Sequence, residues 1–556
     1  MTHETQIIKM KKLKNPFGKN FLILGILAFV AACSSPKATE DNETPSDFEI
    51  VKYNNPGASS FLGVGLWAWP LPMDYDGDGD MDMLVSCPDK PFNGLYFFEN
   101  TSGEEFPDFA PPVRIGDAIS KVQISHTDQG VRVLTPGAEL TNFISDLDSS
   151  PEDLFPIEEL TKELGKKPRF NQWKMVDYDG DGDLDVIVGM DDWSSYGWDD
   201  AYNEEGVWTN GPLFGYVYLL ENKDGAYENR GRIQAGGEEI NVYGAPSPNF
   251  ADFDGDGDLD LICGEFLDKM TYFENIGTRE KPVYKEGKLL ENEEGIIKMN
   301  LEMIIPVALD WDKDGHVDLV VGDEDGRVAL IKNSGETKNG LPIFDSPKYF
   351  RQQADNLKFG ALVTPVSVDW DNDGDEDLIA GNSAGHFAFI ENLDGAAKPK
   401  WAEPKLLEID GEPIRIQAGD NGSIQGPAEA KWGYTTLTVA DWDADGNKDI
   451  VFNSIWGRVE WIKNTGNGLL APQPVKVDWA GQNPPHPAWN WWKPEANELA
   501  TQWRTTPYAI DWNKDGIMDL VMLDHEGYLA LFEGKGNNGE PILQPGKRIF
   551  YGENGS

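Results

Sequence analysis

The strongest constraint in this sequence is a compact acidic loop that runs straight into a short apolar strand and recurs seven times. The fourth copy reads Asp310-Trp311-Asp312-Lys313-Asp314-Gly315-His316-Val317-Asp318-Leu319-Val320-Val321-Gly322. Acidic side chains fall at positions one, three, five and nine, with glycine at six. The copies begin at Asp74, Asp177, Asp252, Asp310, Asp369, Asp441 and Asp511, and apolar runs such as Val186-Ile187-Val188-Gly189 and Leu378-Ile379-Ala380-Gly381 follow them. A chain of 556 residues would otherwise admit several unrelated domains. A repeat in register takes precedence over that count.

Alternate side chains on a tight turn present oxygen atoms to one centre, which is what a calcium ion requires, and glycine permits the turn. The expected ligands are Asp74, Asp76, Asp78 and Asp82; Asp177, Asp179, Asp181 and Asp185; Asp252, Asp254, Asp256 and Asp260; Asp310, Asp312, Asp314 and Asp318. Asp369, Asp371, Asp373 and Asp377, then Asp441, Asp443, Asp445 and Asp449, and finally Asp511, Asn513, Asp515 and Asp519 complete the set. The spacing follows the EF-hand as far as position nine, without its twelfth-position Glu or its flanking helices. Four carboxylates within ~4–6 Å repel by on the order of 1 kcal/mol per pair even at high dielectric. Binding of up to seven calcium ions should therefore be coupled to folding. The loops are spread along the chain instead of converging, so the ions are expected to be structural. A net charge of −49 fits this and excludes nucleic acid, whose phosphates call for clustered Lys and Arg.

Each repeat has the same internal grammar. Around the fourth loop, Pro306-Val307-Ala308-Leu309 leads in and Leu319 to Gly322 leads out; a turn at Asp323-Glu324-Asp325-Gly326 follows, then Arg327 to Asn333 and a last extended stretch near Tyr349-Phe350. Period-two, β-branched stretches between Gly/Asn/Asp turns predict four antiparallel strands, A to D. Convincing helices are nearly absent, with Pro156 to Leu164 a short exception. A four-stranded unit of about 60 residues cannot bury both its faces, whereas a ring of such units can. The repeats resemble those of FG-GAP/VCBS proteins, shared with integrin α-subunit propellers and with secreted bacterial polysaccharide-degrading enzymes. The resemblance implies an all-β, seven-bladed β-propeller of four-stranded antiparallel blades over residues 48–556.

The N-terminus reads as an address. Lys9, Lys11, Lys12, Lys14 and Lys19 precede an apolar run, Phe21 to Ala32, that is too short to span a bilayer. Val30-Ala31-Ala32-Cys33 resembles the lipobox of bacterial lipoproteins and implies lipidation of Cys33, with 1–33 a signal segment and 34–47 a polar tether. The expectation is an exported bacterial lipoprotein at the outer membrane or cell surface, held to the membrane by the lipid alone, and monomeric. Cys87 and Cys263 lie in apolar strands of non-neighbouring repeats and are expected as buried free thiols.

Strand order assigns faces. If the acidic loops join A to B, then B–C turns and D–A crossings lie on the opposite face. The long insertions fall there: Gly116 to Phe170, Gly411 to Lys431 and Ala480 to Trp503 as D–A crossings, and Asp191 to Leu213 as a B–C connection. These stretches are aromatic, and Trp193, Trp198, Trp432, Trp489, Trp491, Trp492 and Trp503 are the expected sugar-stacking residues, since indole faces suit the C–H faces of pyranose rings. Arg504, His525, Tyr434 and His386 come from adjacent repeats near the same face and are the candidate catalysts. A lyase acting on a uronate-containing polysaccharide needs a cation for the carboxylate, a base for the α-proton and an acid for the leaving oxygen, in the order Arg504, His525, Tyr434. Propeller lyases of the ulvan and rhamnogalacturonan type are similar in architecture. Hydrolysis by paired carboxylates (Glu265, Asp323 or Asp524) and non-catalytic glycan binding or adhesion are the alternatives.

Overall fold

A computed structural model describes residues 49–88, 93–162, 164, 168–197, 201–536 and 541–549. The signal segment, Cys33 and the tether lie outside the described residues, as does Trp198. The molecule is all-β, with antiparallel four-stranded sheets consistent with a β-propeller. Its single α-helix among the described residues is Ile157–Thr161, within the stretch where the sequence predicts one.

The local prediction holds closely. In the repeat around Asp310, strands Ile305–Leu309, Asp318–Gly322, Val328–Ile331 and Lys348–Tyr349 pair in that order. The Asp318–Gly322 strand is buried throughout, which is why it is a continuous apolar run instead of an alternating one. The acidic loop bridges the first two strands, as expected.

The ninth-position aspartate does more than the sequence implies. Asp318 accepts a hydrogen bond from the Asn333 N–H (2.7 Å) at the end of the third strand and one from the Trp311 N–H (3.2 Å) inside its own loop. The bond to the third strand's end recurs at Asp82, Asp185, Asp260, Asp377, Asp449 and Asp519. Each loop is thus tied to its sheet by one buried carboxylate.

Two expectations need correction. Gly116 to Phe170 is not simply a crossing. It contains its own four-stranded sheet, Gln123–Thr127, Gly130–Thr135, Ala138–Glu139 and Glu152–Asp153, whose first two strands are joined by the tight turn Asp128-Gln129 instead of an acidic loop. Counting acidic loops therefore missed a sheet. In chain order the sheets then begin at Trp69, Gln123, Asn171, Ser247, Ile305, Thr364, Thr436 and Tyr508.

The seven loops also do not build one seven-membered ring. The first strands of sheets one to five pack in sequence, and that of sheet five returns to sheet one. A Cβ on Gly322 of sheet five would lie 2.3 Å from the Ala68 carbonyl oxygen of sheet one, so glycine is required for this closure. The Trp311 indole N–H donates to the Glu105 carbonyl (2.6 Å) across the same junction. At the centre the buried Lys174 ammonium, from sheet three, donates to the Pro306 carbonyl of sheet five (2.9 Å). Sheets six, seven and eight pack as a separate arc, with Gly381 against the Thr435 carbonyl and Thr436 Oγ1 donating to the Thr505 carbonyl (2.9 Å). The eighth sheet has three strands among the described residues, extended by a bridge between Leu531 and Lys547.

Ring and arc meet through the face that lacks acidic loops. The Arg415 guanidinium donates to the Asn300 carbonyl and side-chain oxygen (2.6 and 2.9 Å), and the Lys431 N–H donates to Glu302 (2.6 Å). The Tyr196 hydroxyl donates to the Gln425 carbonyl (2.6 Å) and accepts from the Ala428 N–H (3.0 Å), which locks the Asp191–Leu213 and Gly411–Lys431 insertions together. Chain 52–63 lies beside the junction, with Ser59–Phe61 paired to Arg351–Gln353. Cys87 and Cys263 are buried free thiols, as expected.

Candidate functional site

Where the two faces meet lies a cavity of about 310 Å³. One position in the repeat, seven residues ahead of the acidic loop, supplies five of its lining residues. That position is Trp67, Phe170, Ala245, Met303, Leu362, Tyr434 and Arg504 along the chain. Trp67, Met303, Leu362, Tyr434 and Arg504 line the cavity, and Phe170 and Ala245 belong to the apolar cluster beneath it. Six of the seven are non-glycine residues with left-handed backbone: φ is 73° at Trp67, 37° at Ala245, 52° at Met303, 50° at Leu362, 48° at Tyr434 and 58° at Arg504. Such a conformation costs about 1–2 kcal/mol per L-residue. Its repetition marks a kink at which each chain turns into its first strand and presents one side chain to the common centre.

Four expected site residues converge there: Arg504, Tyr434, Trp432 and Trp193. The Arg504 guanidinium lies 3.4 Å above the Tyr434 ring and 3.7 Å from the Trp503 ring, and it pairs with Glu429 at 3.1 Å. Burial, followed by nearby Glu429, Glu324 and Glu302, drives the Tyr434 phenol far above its usual range, so it stays neutral. Trp432 packs on Tyr434 with ring centroids 4.4 Å apart.

The remaining candidates fall elsewhere. His386 lines a second cavity, and His525 sits in the turn of the last sheet, where its carbonyl accepts the Gln502 amide (2.6 Å). Trp489, Trp491 and Trp492 hold down the Ala480–Trp503 insertion: the Trp489 indole donates to Gln502 (2.9 Å), Trp491 packs on Tyr202 and Trp456, and Trp492 lies under Arg458. These three are not among the cavity residues.

Sequence reasoning missed three carboxyls and a cation. Glu302, Glu324 and Glu429 line the cavity together with Arg169. Burial, then mutual repulsion, raises Glu302 well above the carboxylate range; burial, opposed by Arg169, does the same to Glu324. Burial thus biases both toward the protonated, proton-donating form. Arg169 lies 5.5–5.8 Å from the rings of Phe170, Phe266 and Trp193. A signal for two of the four was present, because Arg169 and Glu302 each stand eight residues ahead of a loop, beside the kinked position.

A family model described as FG-GAP-like repeat matches residues 177–263. That span runs from the Asp177 loop to the second strand of sheet four, one complete repeat and the loop of the next. No curated protein matches the chain.

Proposed function

We propose that this is a carbohydrate-active protein that takes a sugar of a uronate-containing polysaccharide into the cavity between ring and arc and cleaves the chain there. The observation that carries this reading is the convergence of indole walls, two guanidinium groups and buried carboxyls biased toward the acid form in one cleft of monosaccharide size. In β-elimination, Arg169 and Arg504 would neutralise the uronate carboxylate and Glu302 or Glu324 would protonate the leaving oxygen. The Glu429 carboxylate, paired with Arg504, would take the α-proton, and the neutral Tyr434 phenol beside it would share in donating to the leaving oxygen. His525 and His386 have no part in this version. Hydrolysis is the second reading, favoured by three carboxyls, Glu302, Glu324 and Glu429, in one cavity, since glycoside hydrolysis uses a pair of carboxyls as acid and base.

We further propose calcium at the acidic loops and export as a lipid-anchored monomer. The loops fit a hard cation: carboxylate oxygens lie within 4.8 Å of one another in Asp74, Asp76 and Asp78, in the corresponding residues of the Asp177 and Asp252 copies, and at positions one, three and nine of the Asp310 and Asp369 copies. Asp179, Asp369 and Asp443 each carry a buried oxygen without a hydrogen-bond partner among the described residues. The ion would supply charge neutralisation and nothing catalytic.

The test is incubation of the purified protein with a panel of uronate polysaccharides, following ultraviolet absorbance of an unsaturated product and reducing ends in parallel. Both signals rising supports elimination; reducing ends alone supports hydrolysis; affinity with neither leaves a glycan-binding or adhesion protein. Arg504→Ala and Tyr434→Phe are each expected to lower cleavage by about 10²-fold or more. Undiminished cleavage in both would remove this cavity as the active site.

A further inference from the structure

The Asp323-Glu324-Asp325-Gly326 turn separates two cavities. Glu324 lines the one described above, and Asp325 lines a second of about 370 Å³, enclosed by chain 53–63, sheet five and sheet six. The polar wall of the second cavity includes Lys358, Arg327, His386, Asn300 and Asp325. The Lys358 ammonium is buried and has no hydrogen-bond partner among the described residues. The Arg327 guanidinium lies 4.4 Å over the Tyr349 ring, 3.3 Å from Asp325 and 3.7 Å from Asp323; its Nε–H and Nη2–H groups make no hydrogen bond among the described residues.

The charges do not balance. Arg327, Lys358 and, behind His386, Arg415 face the carboxylates of Asp323 and Asp325. Glu403, the other acid on the wall, is already paired with Arg351 at 2.9 Å. Burial, and then Arg415, pushes His386 down to about 4, so it remains neutral, with an unpartnered Nδ1 among the described residues. A buried ammonium without an acceptor is costly unless an anion completes it. Phe61, Tyr349 and Phe359 supply apolar faces beside these donors.

We propose that this second cavity binds one anionic sugar residue, its carboxylate or sulfate ester on Lys358 and Arg327 and its ring against the aromatic side chains. The site is independent of cleavage in the first cavity.

Titration calorimetry of the full-length protein with galacturonate, a galactose sulfate and galactose tests it. One or both anions bind and galactose does not; which anion binds identifies the source of the charge. Lys358→Met weakens that binding by about tenfold or more. Gly63→Ala does the same, because its Cβ would lie 2.6 Å from the Lys358 Nζ and displace it. Gly63→Ala alone decides the matter if Lys358→Met does not fold. Binding persists in Arg504→Ala. The proposal is overturned if neither anion binds, if galactose binds equally well, if Gly63→Ala leaves affinity unchanged, or if Arg504→Ala abolishes it and so returns the ligand to the first cavity.

Discussion

The residues that define the candidate site are those held against their own preferences. Arg504 and Tyr434 occupy left-handed backbone to reach the cavity, and Glu302 and Glu324 sit where a carboxylate cannot easily ionise. Arg504 and Tyr434 were legible because counting back from an acidic loop places them at the start of a first strand. The place of Glu302 beside a kinked position was legible too, but its burial and that of Glu324 were not, because the arc laid over the ring supplies them. A carboxyl whose folded pKa is raised contributes stability that is fully present below the ordinary Glu pKa and lost as pH rises through the folded value. Glu302→Gln keeps the oxygen that accepts the Lys431 N–H and removes this loss. Its thermal stability should therefore fall less than the native protein's as pH is raised above the ordinary Glu range; equal slopes would show that Glu302 ionises freely in the fold.

At the scale of the element, the acidic loop has two functions that substitution can separate. Asp318 uses both carboxylate oxygens on backbone N–H groups, and burial, followed by Asp312 and Asp314, raises it to about 7. Asp318→Asn turns an amide donor toward an N–H and should cost about 1–3 kcal/mol in urea unfolding even with chelator present. The Asp310 and Asp441 loops differ from the other five in facing a lysine at the end of their own third strand. Lys332 contacts Asp312 and lies 3.6 Å from Asp314; Lys463 contacts Asp443 and lies 2.6 Å from Asp445. The residue at this point of the other repeats is Glu: Glu99, Glu221, Glu274, Glu391 and Glu533. Calcium at these two loops must displace an ammonium, so calcium titration of Lys332→Met and Lys463→Met should show tighter uptake than the native chain. Unchanged uptake would mean that the lysines do not compete. Chelation should lower the melting temperature of the native protein, because an ion bound only by the folded state stabilises it.

At the scale of the molecule, the arrangement depends on one close junction. Gly322 against Ala68 closes five sheets into a ring, although the two residues lie far apart in the chain. Gly322→Ala should destabilise the protein by about 1–3 kcal/mol, read from thermal or urea unfolding, since the added methyl group meets backbone that cannot give way. A neutral effect would place the closure elsewhere. The closed ring leaves three sheets over, and their packing on the ring creates both cavities.

The sequence by itself determined what is local: strand pairing around each acidic loop, the carboxylates that cluster in it, the buried thiols, and the face on which the long aromatic insertions lie. These follow from periods of two and from turn residues a few positions apart, and they are written into every repeat. Only the tertiary structure decided how many sheets share a ring, that one sheet has no acidic loop, and that Glu302, Glu324, Arg169 and Glu429 meet Arg504 and Tyr434 while His525 and His386 do not. Those outcomes rest on which backbone a single glycine can approach and on which carboxyls lose their water when ring and arc close together. No spacing along the chain encodes either.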